Sequence, residues 1–447
     1  MRNRRYRQLL LSFIAAVLLG QLNALNAAII SGPMLGHIDM REASIWLQAD
    51  APCSLSIRYY ETGSKVRFET RPVQANANLA FTATIRLHEV EAGKTYNYEI
   101  LEDGQKLGKT HRFTTPTNYY FRAPPPDFSF AVGGAHYVME DGYEPPYQLL
   151  GGGYGIFQVI QQTSPDFMLW MGNTAHLRQS DYTSRSGILK RFTHTRKIPE
   201  LKSLLASIPH YATWSYADYN FSNGSKYASY RKYSEAAFKA FWPRPVDVEM
   251  LEGIATRFRY ADVDFFILDT HSYRDDSPDS QRPPEILGKE QIEWLRQELI
   301  HSRATFKIIL SGSPVLNPAD NKNNLSYAEV EHNSLLEALR RENISGLFFI
   351  SGGKYFGELT KLVHASNYNL FDLTIGPLTA GPSLSNEELN YFRVPGTSTA
   401  ERQFAIIKVQ GPEEDRELKI QLNSMEGDEL WSRTIRAKEM QTNIELD

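Results

Sequence analysis

The run Ala123-Pro124-Pro125-Pro126 divides the 447-residue chain into two stretches with different periodicities. Three successive prolines fix φ near the polyproline value and supply no backbone donors, so neither a helix nor an interior strand continues through them. The stretches on either side are therefore expected to build separate cores. Before the run, Ala43–Leu47, Ser54–Tyr60, Phe81–Ile85 and Thr95–Ile100 are short, rich in β-branched and aromatic residues, and separated by turns such as Asp103-Gly104. That spacing predicts an all-β sandwich of the fibronectin type III sort over residues 28–117, with residues 118–127 as a Pro-rich linker. Such sandwiches mostly position or bind, so no chemistry is assigned to this part.

After the run the pattern changes. Phe128–Val132, Phe167–Met171, His210–Trp214, Val263–Leu268, Phe306–Leu310 and Gly346–Ile350 read as buried strands. Helical patterns at Tyr154–Gln162, Gly288–His301 and Ser334–Glu342 are interspersed among them. Alternation of this kind predicts a layered α/β domain over residues 128–447. Phe404–Val409 and Glu417–Leu422 return to strand and should close one of its sheets. Trp294 falls on an amphipathic helix and is expected in the core. Gly151-Gly152-Gly153 lacks the lysine of a phosphate loop and reads as a flexible turn. Arg185 and Arg191 are expected in surface salt bridges, with contact to an anion as the alternative. His332 and His364 have no motif around them.

The first residues carry Arg2, Arg4, Arg5 and Arg7, then an apolar stretch from Leu9 to Gly20, then small residues at Ala24–Ala28. This order predicts a signal peptide over residues 1–27 and a periplasmic or secreted protein. The apolar stretch is short for a membrane span, so no stable span is expected after cleavage. Losing four arginines and no acids takes the formal charge from −4 to −8. No long Lys/Arg run follows, which argues against a nucleic-acid partner. Cys53 is the single cysteine. It excludes an intramolecular disulfide and lies too far from the signal segment to serve as a lipobox.

In layered α/β folds, chemistry sits on the loops leaving the C-terminal ends of the strands. Here those loops are Gly133–His136, Gly172–His176, Trp214–Tyr219, Asp269–Ser272 and Ser351–Phe356. A dinuclear metal site needs several carboxylates and imidazoles on such loops to offset two cations. Few are present. HExxH, the P-loop, CxxC and GxSxG are all absent from the sequence.

Several segments together resemble the PhoD-like phosphatases, the alkaline phosphatase D family of the metallophosphatase superfamily. They are Ser31–His37, Pro165–Gly172, Thr183–Gly187, Tyr211–Trp214, Val263–Phe266, Leu287–Gln291 and Val394–Thr397. The resemblance spans nearly all of the mature chain. It implies a metallophosphatase-like α/β domain, a two-sheet sandwich flanked by helices, and phosphoester hydrolysis with Ca, Fe or other divalent metals. The departures fall on the chemistry. The family's G-S-C corresponds to Gly133-Gly134-Ala135, and its G-D-N to Gly172-Asn173-Thr174. Its W-D-D-H-D-Y reads Trp214-Ser215-Tyr216-Ala217-Asp218-Tyr219. Its S-G-D-R-H-H-x-E-L reads Ser351-Gly352-Gly353-Lys354-Tyr355-Phe356-Gly357-Glu358-Leu359. Its L-D-D-R reads Leu268-Asp269-Thr270-His271.

Ala135, Ala217, Gly353 and Phe356 offer no donor atom, and Tyr355 would have to lose a proton of high pKa. The expected consequence is a degenerate metal site, no cofactor, and a non-catalytic protein with a binding or scaffolding role. Its partner would be an envelope or secreted protein, or a small anionic or sugar-like ligand. The alternative is an active alkaline phosphatase or phosphodiesterase with a rebuilt site drawn from His136, His176, Asp218, Asp269, His271 and Glu358. Lys354 with several histidines would favour an anion in the cleft, while Tyr216, Tyr219, Tyr355 and Phe356 would line it. For Tyr355 and Phe356 the favoured reading is packing, as filler of the volume that metals would occupy.

Overall fold

The computed structural model describes residues 27–144, 150–220, 224–246, 248–276, 282–363, 369–383 and 388–441. The expected signal segment lies outside them except for Ala27, and His364 lies outside them as well. Among the described residues no helix is long and apolar enough to cross a membrane.

The N-terminal part is a β-sandwich, as the alternation predicts. One sheet has the order β1 (Ile29–Ile38), β2 (Ala43–Ala49), β6 (Thr82–Leu87). The other has the order β4 (Phe68–Glu69), β3 (Cys53–Glu61), β7 (Thr95–Glu102), β8 (Gln105–Thr114), with β5 (Val73–Ala75) also paired to β3. Ile45, Leu47, Leu55, Ile57, Tyr98 and Ile100 meet between the sheets. Cys53 is buried there as a free thiol.

The larger domain contains two six-stranded sheets packed face to face. The first has the order β11 (His210–Thr213), β10 (Phe167–Met171), β9 (Phe128–Gly133), β18 (Gln403–Gln410), β19 (Glu417–Ser424), β20 (Glu429–Arg436). The second has the order β12 (Thr256–Tyr260), β13 (Val263–Ile267), β14 (Phe306–Ser311), β15 (Leu347–Ser351), β17 (Asn369–Thr374), β16 (Glu358–Val363). β9, β10 and β11 are parallel, as are β13, β14, β15 and β17. The C-terminal strands extend the first sheet, with β18 antiparallel to β9 and β19 and β20 continuing as an antiparallel meander.

The strands look continuously apolar because both of their faces are covered. Phe130, Val132, Phe167 and Leu169 point into the space between the sheets and meet Phe265, Ile267, Ile308 and Ile350. The residues between them, Ala131, Met168 and Trp170, point outward to a helical layer. That layer comprises α1 (Ile156–Gln162), α2 (Arg185–Arg196), α3 (Pro199–Ser207) and, after the single turn α4 (Tyr216–Tyr219), α5 (Arg231–Phe241). On the other side, α6 (Lys289–His301) and α7 (Glu329–Arg341) cover Phe266, Ile309 and Phe349, and Trp294 is buried among them.

The two domains also share a core. Trp46 of β2 packs in the helical layer of the larger domain and donates to the Ala240 carbonyl at 2.7 Å. Gln48 donates to Thr193 Oγ1 at 2.8 Å. Arg416, wholly buried, clamps the end of the linker through Asp127 at 2.6 Å and the Pro126 carbonyl at 2.9 Å.

Candidate functional site at the strand ends

The C-terminal ends of the two parallel sets converge through contacts that only glycine permits. A Cβ on Gly352 would lie 1.6 Å from the Met171 carbonyl oxygen, and one on Gly312 would lie 1.8 Å from that of Trp214. Gly352 and Gly312 leave the second sheet, whereas Met171 and Trp214 leave the first. The loops of both sheets thus meet main chain to main chain. Ala135, Asn173 and His176 adopt left-handed backbone there, with φ of 52°, 53° and 51°. That conformation costs roughly 1–2 kcal/mol for a residue with a Cβ.

The carboxylates at these ends are occupied by the chain itself. Asp218, fully buried, accepts at Oδ1 from the amides of Thr174 at 2.7 Å and Ala175 at 2.6 Å, and at Oδ2 from that of Ser215 at 3.2 Å. Burial pushes its pKa up to about 6, against the pull of those amides. Asp269 accepts at Oδ1 from Trp214 Nε1 at 2.8 Å and from the His271 and Ser272 amides at 2.9 Å each. Its Oδ2 accepts from the Ile254 amide at 3.0 Å. Glu358 accepts from Asn317 at 3.0 Å, Asn390 at 2.8 Å and Arg393 at 2.5 Å. Each ties together loops that are distant in sequence.

The other candidate residues divide into small groups. Asn173 Oδ1 accepts from the Ala217 amide at 3.0 Å. Tyr216 OH donates to Tyr355 OH at 3.0 Å, and Tyr355 OH lies 2.9 Å from His176 Nε2. Burial raises the Tyr355 pKa, so the phenol stays protonated. Phe356 is buried, and Gly353 packs against Gly312 and Ser215.

His136, in contrast, turns away into the outer layer. Its Nδ1 is 2.8 Å from Thr379 Oγ1 and its Nε2 is 3.2 Å from the Thr195 carbonyl. His271 stacks on Tyr219, with centroids 5.3 Å apart, and neither of its nitrogens has a well-formed hydrogen bond. Burial lowers His136, His176 and His271 each to about 3, so all three are neutral imidazoles. Among the described residues, no three His, Cys, Asp or Glu side chains come together so as to hold a metal ion.

Four expectations need correction. Lys354 is not offered to an anion: its ammonium is buried and paired with Glu388. Arg191 is not on the surface either. It is fully buried and donates to the carbonyls of Ala175 and Val138, both at 2.9 Å, because the loops after β9 and β10 leave those acceptors without partners. Arg185 forms no salt bridge among the described residues; it donates to the Asn78 carbonyl across the domain junction. Gly151 is not a free turn, since it bridges to Ala380.

Asp372 went unnoticed in the sequence. On β17, it accepts from the amides of Val315 at 2.7 Å and Leu316 at 2.9 Å and from Ser351 Oγ at 2.5 Å. Burial raises it to about 6. The available signal was a lone acid inside the apolar run Leu370–Leu373.

Two face-packed mixed sheets flanked by helices, with a loop cluster at the ends of the parallel strands, define the metallophosphatase-like class. Residues 130–406 match the PhoD-like phosphatase family, and the chain belongs to that family. Its members are metal-dependent phosphatases. Residues 26–119 match a domain of unknown function (DUF7800). Among solved structures, the chain is similar to PhoD, with 14% identity, a TM-score of 0.69, and coverage of 90% of this chain and 91% of that one. It is also similar to the purple acid phosphatase PPD1 from yellow lupin (Lupinus luteus) seeds, with 13% identity, a TM-score of 0.65, and coverage of 91% and 75%. At these identities the likeness establishes the fold alone. No curated protein matches the chain.

Proposed function

We propose that this chain is a non-catalytic PhoD-like protein, exported to the periplasm or beyond, with a binding or scaffolding role. The observation that carries this reading is the state of Asp218. It is the one acid left in the run Ser215–Asp218, and backbone amides engage both of its oxygens. A metal ion would have to displace those amides and leave them unpaired in a buried site. The remaining donors do not fit a pair of cations: Ala135, Ala217 and Gly353 have no donor, and the Tyr355 phenol is held protonated. No catalytic step through a metal is therefore assigned. The proposed partner is an envelope or secreted protein, or a small anionic or sugar-like ligand. The arginine-rich, apolar N-terminus supports export.

Elemental analysis of the purified protein, together with a phosphodiester assay in added Ca²⁺, Fe³⁺ or Zn²⁺, tests the reading. Metal well below one equivalent and no turnover are expected. Stoichiometric metal with turnover that Asp218→Ala abolishes would overturn it in favour of a rebuilt phosphoesterase site.

A further inference from the structure

A second place in the molecule has the makings of a ligand site, and it lies at the opposite ends of the strands. A cavity of about 820 Å³ opens between the two domains, bounded by the residues that lead into β9, β10 and β11. That volume suits a ligand of a few rings. The sandwich contributes Asp39, Arg112 and Phe113, the linker Tyr119 and Tyr120, and the larger domain Tyr260.

The linker is unusual for a connecting segment. The rings of Tyr119 and Tyr120 stack with centroids 4.5 Å apart and planes at 28°. Tyr120 is 40% exposed, and the next residue, Phe121, is fully exposed with φ of 59°. Two successive aromatics exposed to solvent beside the half-buried Tyr119, one of them on strained backbone, are costly unless something covers them.

The charges around the cavity narrow the choice of ligand. Arg259 is paired with Asp264 at 2.6 Å, and Asp127 with Arg416 at 2.6 Å. Asp166 accepts from the Ser129 amide at 2.8 Å. Asp39 accepts from the Arg41 amide at 2.9 Å through Oδ1, which leaves Oδ2 open. No side-chain partner of Arg112 occurs among the described residues. An anionic ligand would face three aspartates, and a cationic one two arginines. A neutral ligand with paired hydroxyls can use one carboxylate and one guanidinium together, while its C–H face covers an aromatic ring.

We propose that this interdomain slot binds a neutral oligosaccharide. Tyr119 and Tyr120 form the stacking platform, and Asp39 and Arg112 bind hydroxyl pairs. The site is separate from the strand-end loops, so its test does not depend on the catalytic status of the chain. Saturation-transfer NMR on the mature protein, with cellotriose, maltotriose and chitotriose in turn, is the experiment. Transfer to the ring protons of at least one is expected, with affinity reduced about 10-fold or more in Tyr120→Ala and in Asp39→Ala and retained in Tyr120→Phe. Unchanged melting temperatures would show that the loss is local. No transfer from any of the three, equal affinity in the alanine variants, or stronger binding of an oligogalacturonate would each overturn the proposal.

Discussion

Asp218 Oδ1 lies 2.6 Å from the backbone nitrogen of Ala175, a residue 43 positions earlier in the chain. This bond and its companion to Thr174 join the loop after β10 to the loop after β11. The carboxylate acts as a staple between strand ends. Asp218→Ala should therefore destabilise the fold by about 3 kcal/mol or more, since it strands the buried amides of Thr174, Ala175 and Ser215. Asp218→Asn retains one acceptor and should cost about half as much. Urea unfolding curves measure both. An alanine variant as stable as the parent would contradict the staple.

Gly353 is a position that does not accept an acidic side chain. A Cβ there would lie 2.6 Å from the Gly312 carbonyl oxygen and 2.9 Å from Ser215 Oγ, on backbone with φ of 75°. Gly353→Asp should destabilise by about 3 kcal/mol or more and should not recruit a metal. Thermal unfolding with and without Zn²⁺ checks this. A variant that is stabilised by the metal would show that the loops can open to accommodate the site.

Tyr355 OH links Tyr216 and His176. Tyr355→Phe keeps the ring and removes both bonds, leaving the buried His176 Nε2 without its partner. A loss of about 1–2 kcal/mol is expected. Tyr355→Leu should cost more, because the ring volume is lost as well. Equal stability of the phenylalanine variant would mean that this hydroxyl contributes only volume.

Acidification should unfold the protein well above the carboxylate range. His136, His176, His210 and His271 are held at about 3 by burial, against an ordinary value of 6.5. Between these limits the unfolded chain binds up to four protons that the folded chain refuses, so stability falls as pH falls. Asp218 and Asp372, raised to about 6, act in the opposite direction. Below that pH the folded chain binds their two protons while the unfolded chain does not until about 4. Burial also lowers His37, His111, His194 and His332 and raises Asp166 and Glu331; the histidines outnumber the acids, so stability falls by about 3 kcal/mol or more per pH unit near pH 5. Urea unfolding at several pH values measures the slope, and His136→Gln should reduce it by about one proton. A flat profile between pH 4 and 6 would refute this assignment of charge states.

The change from short alternating strands to doubly buried ones was legible in the sequence. It is a local pattern set by which faces of a strand are covered. The residues at Ala135, Asn173, Ser215–Ala217 and Gly353–Phe356 were legible as members of strand-end loops, because each loop is a contiguous run of sequence. The destinations of the charged side chains were not. Arg191 lies on a helix whose sequence has no clear apolar face, and it is buried only because the loops after β9 and β10 present bare carbonyls to it. Lys354 is neutralised by Glu388, 34 residues later, and Asp218 by amides more than 40 residues earlier. Sequence periodicity by itself determined the two domains and the loops on which chemistry would sit. Only the tertiary structure decided that the acids on those loops bind the protein's own backbone, because a carboxylate's partner depends on which distant loops the packed sheets bring together.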